Sequence, residues 1–228
     1  MTKWDANAVK ELRGAAYRGD ASIVEVVRGR LTEDVLQLAG DGLLGAVAQG
    51  VPDAATLAAH CAAALRRRAW EGDDELADQL EAILNLGATP MLRPLPVDLE
   101  ELASLLEGDP VYGGGRIDLK TGDCWPESPD DNDLEEEGDH WLYVECVGSR
   151  QGYRDMERFI ATVEDSAIVD RLDIAIRGSG AFRRFKDVLS RWPEELQRYF
   201  LFSSERKLGR ARSWLAAEGY RPAKAAKL

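Results

Sequence analysis

Apolar side chains recur at helical spacing through most of the first 88 residues. Ala8, Val9, Leu12 and Ala16 share one face of a helix over residues 5–18, with Asp5 as its N-cap. Gly19-Asp20 breaks that pattern, and Ile23, Val24 and Val27 resume it before Gly29. Val35, Leu36, Leu38, Leu43, Leu44 and Val47 predict more helix, interrupted at Gly40-Asp41-Gly42. Gly50-Val51-Pro52-Asp53 is a stop and a restart, with Asp53 the next N-cap candidate. Leu57, Ala58, Cys61, Ala64 and Leu65 then repeat to about Trp70. Asp73 is placed to cap a helix carrying Leu76, Leu80, Ile83 and Leu84, which Gly87 ends. The expectation is four to six short helices over 1–88, with no fixed repeat period.

The pattern changes at Thr89-Pro90-Met91-Leu92-Arg93-Pro94-Leu95-Pro96-Val97. Three prolines in seven positions make this stretch extended and stiff, so 89–97 is read as a linker. Asp98 then caps a short helix with Leu99, Leu102, Leu105 and Leu106 inward, ended by Gly108-Asp109-Pro110. Beyond it the period drops to two. Ile117 and Leu119 alternate with polar residues, Thr121-Gly122 supplies a turn, and Cys124-Trp125 opens a second strand. His140 to Val147 is the strongest strand of the chain, rich in aromatic and β-branched residues.

Helical spacing returns over 152–218. Tyr153, Met156, Phe159, Ile160 and Val163 form one stripe; Ile168, Val169, Leu172, Ala175 and Ile176 form the next, behind Asp165 or Ser166 as cap. Gly178 falls where a left-handed residue ends that helix, and Ser179 is a candidate N-cap for a helix bearing Phe182, Phe185, Val188 and Leu189. Pro193 suits the first turn of a last helix that runs to Gly219, with a kink expected at Ser203-Ser204. The fold class that follows is α+β and predominantly helical. An all-α domain (1–88) and the linker precede an α+β domain (98–220), in which a small antiparallel sheet packs on a helical bundle. An acidic loop (127–139) and a frayed tail (221–228) complete the organisation.

Charge sharpens this division. The chain of 228 residues has a formal net charge of -12. Residues 97–151 hold 3 basic and 16 acidic side chains, net -13, whereas residues 152–228 hold 16 basic and 11 acidic, net +5. The overall charge disfavours indiscriminate binding to nucleic acid or anionic membrane. Three cysteines, Cys61, Cys124 and Cys146, are too few and of the wrong parity for a disulfide framework and fit a reducing compartment. No apolar run has the length of a bilayer span, and Met1 to Asp5 lacks the apolar stretch of a signal peptide. A cytoplasmic protein is expected.

From Pro94 onward the chain resembles uncharacterised protein family 0158, over roughly residues 94–220. The motifs that carry the resemblance are Leu95-Pro96-Val97-Asp98-Leu99-Glu100-Glu101-Leu102, Asp118-Leu119-Lys120-Thr121-Gly122, Tyr153 to Ile160, and above all Ala175 to Asp187. Residues 1–93 resemble no family. The resemblance implies fold and boundaries and no activity.

Candidate chemistry centres on Arg177-Gly178-Ser179-Gly180-Ala181-Phe182-Arg183-Arg184-Phe185-Lys186. A helix N-terminus with flanking glycines offers free N–H groups to an oxyanion, and Arg177, Arg183, Arg184 and Lys186 add cationic donors. The anion-binding set is therefore Arg177, Gly178, Ser179, Gly180, Arg183, Arg184 and Lys186. Against it stands a purely structural reading: the glycines turn the chain, Phe182 and Phe185 are core, and the bases pair with Asp155, Glu157, Asp170 or Asp187. A broader variant gathers Arg154, Arg158, Arg191, Arg198, Arg206, Lys207, Arg210 and Arg212 into one nucleic-acid surface. The acidic loop would repel phosphate there, or fold over the bases.

Other signals point to structure. Arg66-Arg67-Arg68 reads as a solvated face neutralised by Asp73, Asp74 and Glu75. Val111-Tyr112-Gly113-Gly114-Gly115-Arg116 lacks the lysine and following helix of a phosphate loop. Cys124, His140 and Cys146 form no metal-ligand spacing, and Trp125, Trp141 and Trp192 read as core or interface residues. No catalytic residue, metal or cofactor is assigned. The function expected is a non-enzymatic binding or regulatory protein, with residues 1–88 supplying a surface for a protein partner. Phosphate, nucleotide or nucleic-acid binding at 177–186 is the alternative, and an enzyme of unknown class the third reading. Oligomeric state is left open.

Overall fold

The computed structural model describes residues 4–108, 114–127 and 139–223. Residues 128–138 of the expected acidic loop, the opening of the Val111–Arg116 stretch and the tail beyond 223 lie outside the described residues. The protein is α+β and predominantly helical, as the sequence pattern predicts.

Five α-helices and a 3-10 turn (Glu33–Val35) build the first part: α1 (Ala6–Arg18), α2 (Ala21–Val27), α3 (Leu36–Ala48), α4 (Ala54–Arg68) and α5 (Asp73–Ile83). Their apolar stripes meet in one core around Leu12, Ile23, Leu36, Leu43, Leu65, Leu76 and Leu80. Asp5 and Asp20 cap α1 and α2 by accepting from Ala8 N and Ser22 N. Two other expected caps differ. Asp53 precedes α4 but pairs with Arg28 at 2.7 Å instead. Asp73 is the first residue of α5, fully buried, and is recruited by Arg68. Gly40-Asp41-Gly42 does not interrupt α3. A Cβ on Gly42 would stand 2.8 Å from Ala16 Cα, so the glycine lets α1 approach a continuous helix.

The stretch 89–97 runs from α5 into β1 (Arg93–Leu95) and then to α6 (Leu99–Leu106), which Asp98 caps. Three strands follow: β2 (Gly114–Asp118), β3 (Cys124–Pro126) and β4 (Trp141–Glu145), antiparallel in the order β3–β2–β4. Register places Ile117 beside both Cys124 and Leu142 on the inner face, where they pack with α6. The helices α7 (Arg150–Ile160), α8 (Ser166–Ala175), α9 (Ala181–Leu189) and α10 (Pro193–Ala217) complete the chain, with β5 (Tyr220–Pro222) behind them. β5 pairs in parallel with β1, so residues 93–95 of the expected linker and 221–222 of the expected frayed tail are sheet.

α10 organises the rest. It is one helix of 25 residues with no break at Ser203-Ser204. Its apolar residues enter all three cores: Leu201 joins the core of α1–α5, Leu208, Ala211 and Leu215 join α6 and the sheet, and Tyr199 joins Phe159 and Phe185. Its polar residues are buried as well. Arg68 lies between Asp73 (2.7 Å) and Glu205 (2.8 Å), with all three side chains almost fully enclosed. Glu205 also accepts from the backbone N–H groups of Gln37 and Leu38, at 2.8 and 3.1 Å. Arg212 donates to Gln37 and Asp41 at 2.9 and 2.6 Å. Burial pushes the Glu205 carboxyl up, and Arg68 pulls against that shift. Burial alone would lower the Arg68 guanidinium; Asp73 and Glu205 more than reverse it. Arg68 is thus no solvated face, while Arg66 pairs with Asp74, as expected, and also with Asp78 and with Glu81 at 2.8 Å.

Helix α10 also touches the α4–α5 corner backbone to backbone. A Cβ on Gly209 would come 2.1 Å from the Glu71 carbonyl, and one on Gly72 would meet Gly209 O equally closely.

Two predictions follow for equilibrium unfolding. Gly209→Ala gains about 1 kcal/mol of helix propensity, yet the clash with rigid backbone outweighs it, and a net loss of roughly 1–3 kcal/mol is expected. Glu205→Gln leaves Arg68 without its full counter-charge and is expected to cost about 3–5 kcal/mol. A neutral result for either, by denaturant titration, would remove α10 from its central position.

Candidate functional site

The basic corner between α8 and α9 is largely self-satisfied. At the end of α8, Leu172 O and Ile174 O accept from the N–H groups of Ile176 and Arg177. Arg184 reaches back to Ala175 O and to carbonyls past the helix end: Nε donates to Ala175 O at 3.1 Å, and Nη2 donates to Arg177 O at 2.6 Å. The Ser179 carbonyl receives the other branch. Gly178 and Gly180 both hold positive φ, 79° and 72°, which folds this carbonyl cage around one guanidinium. Ser179 is not the N-cap expected of it; Gly180 occupies that position and no side chain caps α9.

The remaining bases diverge. Arg183 stands 3.8 Å from Asp187 in a fully solvated pair of little energetic weight. Arg177 and Lys186 are exposed, with no ion pair among the described residues. Phe185 is core, as expected, whereas Phe182 stays part-exposed and lies against Gly152 of α7. Gly178, Gly180, Ala181 and Phe182 line a groove of about 500 Å³ with Ser149, Arg150 and Tyr153. Of the seven residues singled out in the sequence, only the two glycines border that groove, and the base that lines it, Arg150, comes from another helix.

The wider nucleic-acid set divides similarly. Arg206, Arg210 and Arg212 are buried in α10. Asp155, itself buried on α7, accepts from Arg206 Nε at 3.1 Å and Arg210 Nη1 at 2.6 Å. Glu107 takes the other branch of Arg210 and pairs with Lys207 at 2.5 Å. These bases tie α6, α7 and α10 together and do not form a common outer surface.

The outer face of the sheet is the surface that sequence reasoning passed over. Register sets Trp125, Arg116 and Tyr143 side by side across β3, β2 and β4. Trp125 is 53% exposed and Tyr143 68%, so of the core and domain-interface readings of Trp125 the core one does not hold. Trp141 lies one step along β4, its ring 4.4 Å from the Arg116 guanidinium, in cation–π geometry. Asp118 and Glu145 share this face. The signal was present in the alternation: Arg116 is out of phase with Ile117, and Trp141 and Tyr143 are out of phase with Leu142 and Val144.

Reactive groups are scarce. Burial pushes the Cys124 thiol up to about 12 and raises that of Cys61 also, so neither supplies a thiolate. No group of side chains able to hold a metal occurs among the described residues, and no described helix is long and apolar enough to cross a membrane.

These features define a predominantly helical α+β protein threaded on one long helix, with an aromatic sheet face open to solvent. Residues 126–228 match UPF0158, an uncharacterised protein family. Over 138 residues the chain is 29% identical to a UPF0158 protein of Pseudomonas aeruginosa, spanning 58% of this chain and 89% of that protein. No solved structure matches it. The resemblance read from Ala175 to Asp187 falls inside the matched segment, and that stretch contains the two glycines and the arginine of the carbonyl cage.

Arg184→Ala removes charge-assisted hydrogen bonds to at least three carbonyls and is expected to lower stability by about 1–3 kcal/mol. Arg183→Ala is expected to stay within about 0.5 kcal/mol of the parent. Equal thermal shifts for the two variants would refute the cage.

Proposed function

We propose that the protein is a non-enzymatic binding module that engages a protein partner through the outer face of its β3–β2–β4 sheet. The observation that carries this reading is the exposed row Trp125–Arg116–Tyr143 on a rigid sheet. Trp, Tyr and Arg are the residue types enriched at energetic hot spots, because each combines large apolar area with a polar handle. Here they need no ordering on binding, since the strands already fix their spacing. The hydrophobic residues of 1–88 turn mostly inward, which supports the sheet over the N-terminal helices as the docking face.

The partner's chemistry follows from charge. Asp118 and Glu145 share the face with the row, within a sequence segment, 97–151, of net charge -13. A cationic protein segment is attracted to such a face and a nucleic acid is repelled. Cytoplasmic placement belongs to the same proposal and is supported by three free cysteines.

The test is co-purification from a cell extract with wild type and with the Trp125→Ala/Tyr143→Ala double variant. Retained proteins are expected to carry a basic segment. Their affinity, measured with the purified partner, is expected to fall by about 2 kcal/mol or more, roughly 30-fold. A retained set without basic segments, or undiminished binding by a folded double variant, would overturn the reading.

A further inference from the structure

A second concavity lies away from the sheet, where the α4–α5 corner, α7 and α10 meet. It has a volume of about 360 Å³ and is lined by Ala69, Trp70, Glu71, Arg158, Phe202 and Arg206. Its two arginines differ. Arg206 is rigid: its side chain is only 7% exposed and its Nε is held on Asp155. Its two Nη groups make no hydrogen bond among the described residues, and neither is sealed from solvent, so they open on the cleft. Arg158 is 53% exposed and stands 3.8 Å from the same carboxylate, beyond hydrogen-bond reach.

Arg158, Arg206, Arg210 and Lys207 gather around two carboxylates, Asp155 and Glu107. Glu71 on the cleft and the Arg68–Asp73–Glu205 triad behind Trp70, which carries one carboxylate in excess, offset the two further positive charges. Glu71 is the one acidic residue lining the cleft, is exposed, and makes no ion pair among the described residues. A forked guanidinium held rigid with both Nη groups open is a receptor for a planar or tetrahedral oxyanion. A phosphate monoester offers three acceptor oxygens to the Arg206 fork and Arg158 together, where a carboxylate offers two.

The walls specify the rest of the ligand. The Trp70 ring meets Phe202 edge to face at 5.2 Å. Guanidinium carbons of Arg68 and Arg206 lie 4.3 and 5.3 Å from the indole centre, which fixes its orientation. An aromatic wall beside an anion fork suits a phosphate attached to a planar ring, and the volume is that of one such unit, not of a polymer. We propose that this cleft binds a mononucleotide-like ligand, a phosphate monoester on a heterocyclic body, with Arg206 and Arg158 on the phosphate and Trp70 and Phe202 against the ring. Glu71 on the rim is placed to accept from a ligand hydroxyl or amino group.

Titration of the full chain with adenosine 5′-monophosphate, uridine 5′-monophosphate, adenosine and inorganic phosphate tests this, read by calorimetry and tryptophan fluorescence. At least one monophosphate is expected to bind about tenfold or more tightly than both adenosine and inorganic phosphate. Arg158→Ala, an exposed change that leaves the fold intact, is expected to weaken it by a further factor of about ten. Trp70→Phe is expected to reduce the fluorescence response while calorimetric binding remains. Absence of saturation at millimolar monophosphate, equal binding of inorganic phosphate or adenosine, or an unchanged affinity in Arg158→Ala would each overturn the proposal. Because none of these variants touches the sheet, failure here leaves the partner reading intact, and the converse holds.

Discussion

One guanidinium, that of Arg68, decides how the two halves of the chain sit together. It is enclosed between a carboxylate from the next helix, Asp73, and one from the last helix, Glu205. Enclosing three charges is expensive in isolation, and the geometry offsets the cost only because every remaining acceptor is used. Glu205 fills the two N–H positions at the start of α3, Asp73 takes the Trp70 N–H, and Gln37 bridges onward to Arg212. Such a seam contributes little net stability compared with an apolar one. It does admit one alignment of α10, since a shift by a residue would leave several charges unpaired in the interior.

That alignment places both candidate surfaces. With α10 fixed, Arg206 and Arg210 must face Asp155, which draws α7 against the helix and leaves the guanidinium fork of Arg206 open at the corner. On the opposite side Leu208, Ala211 and Leu215 support α6, and α6 supports the inner face of the sheet. The outer row of Trp125, Arg116 and Tyr143 is therefore held on three layers of packed structure.

Much of the architecture was legible in residue spacing. The helical stripes, the Asp5, Asp98 and Asp165 caps, the strand at 141–145 and the turn after Ile117 all follow from local periodicity and turn chemistry. The misreadings share one cause. Asp73 and Arg68 look like an exposed cap and an exposed base because their burial is created by residue 205, far along the chain. Gly42 looks like a breaker because its partner, Ala16, lies on another helix. Ser203-Ser204 leaves α10 unbroken because packing on three cores outweighs a local weakness. Arg184 looked like a ligand donor because a sequence cannot say that four backbone carbonyls will already surround it.

The long sequence separation within the seam has a further meaning for biosynthesis. Glu205 lies 137 residues after Arg68. At a translation rate of about 5–20 residues per second, roughly 7–27 s pass between the appearance of the two side chains. During that interval α1–α5 hold a half-finished polar face and lack the Leu201 contact that completes their core. Until the last long helix emerges, Arg68 has only Asp73 of its two carboxylate partners, so the order of synthesis makes this seam the last to close.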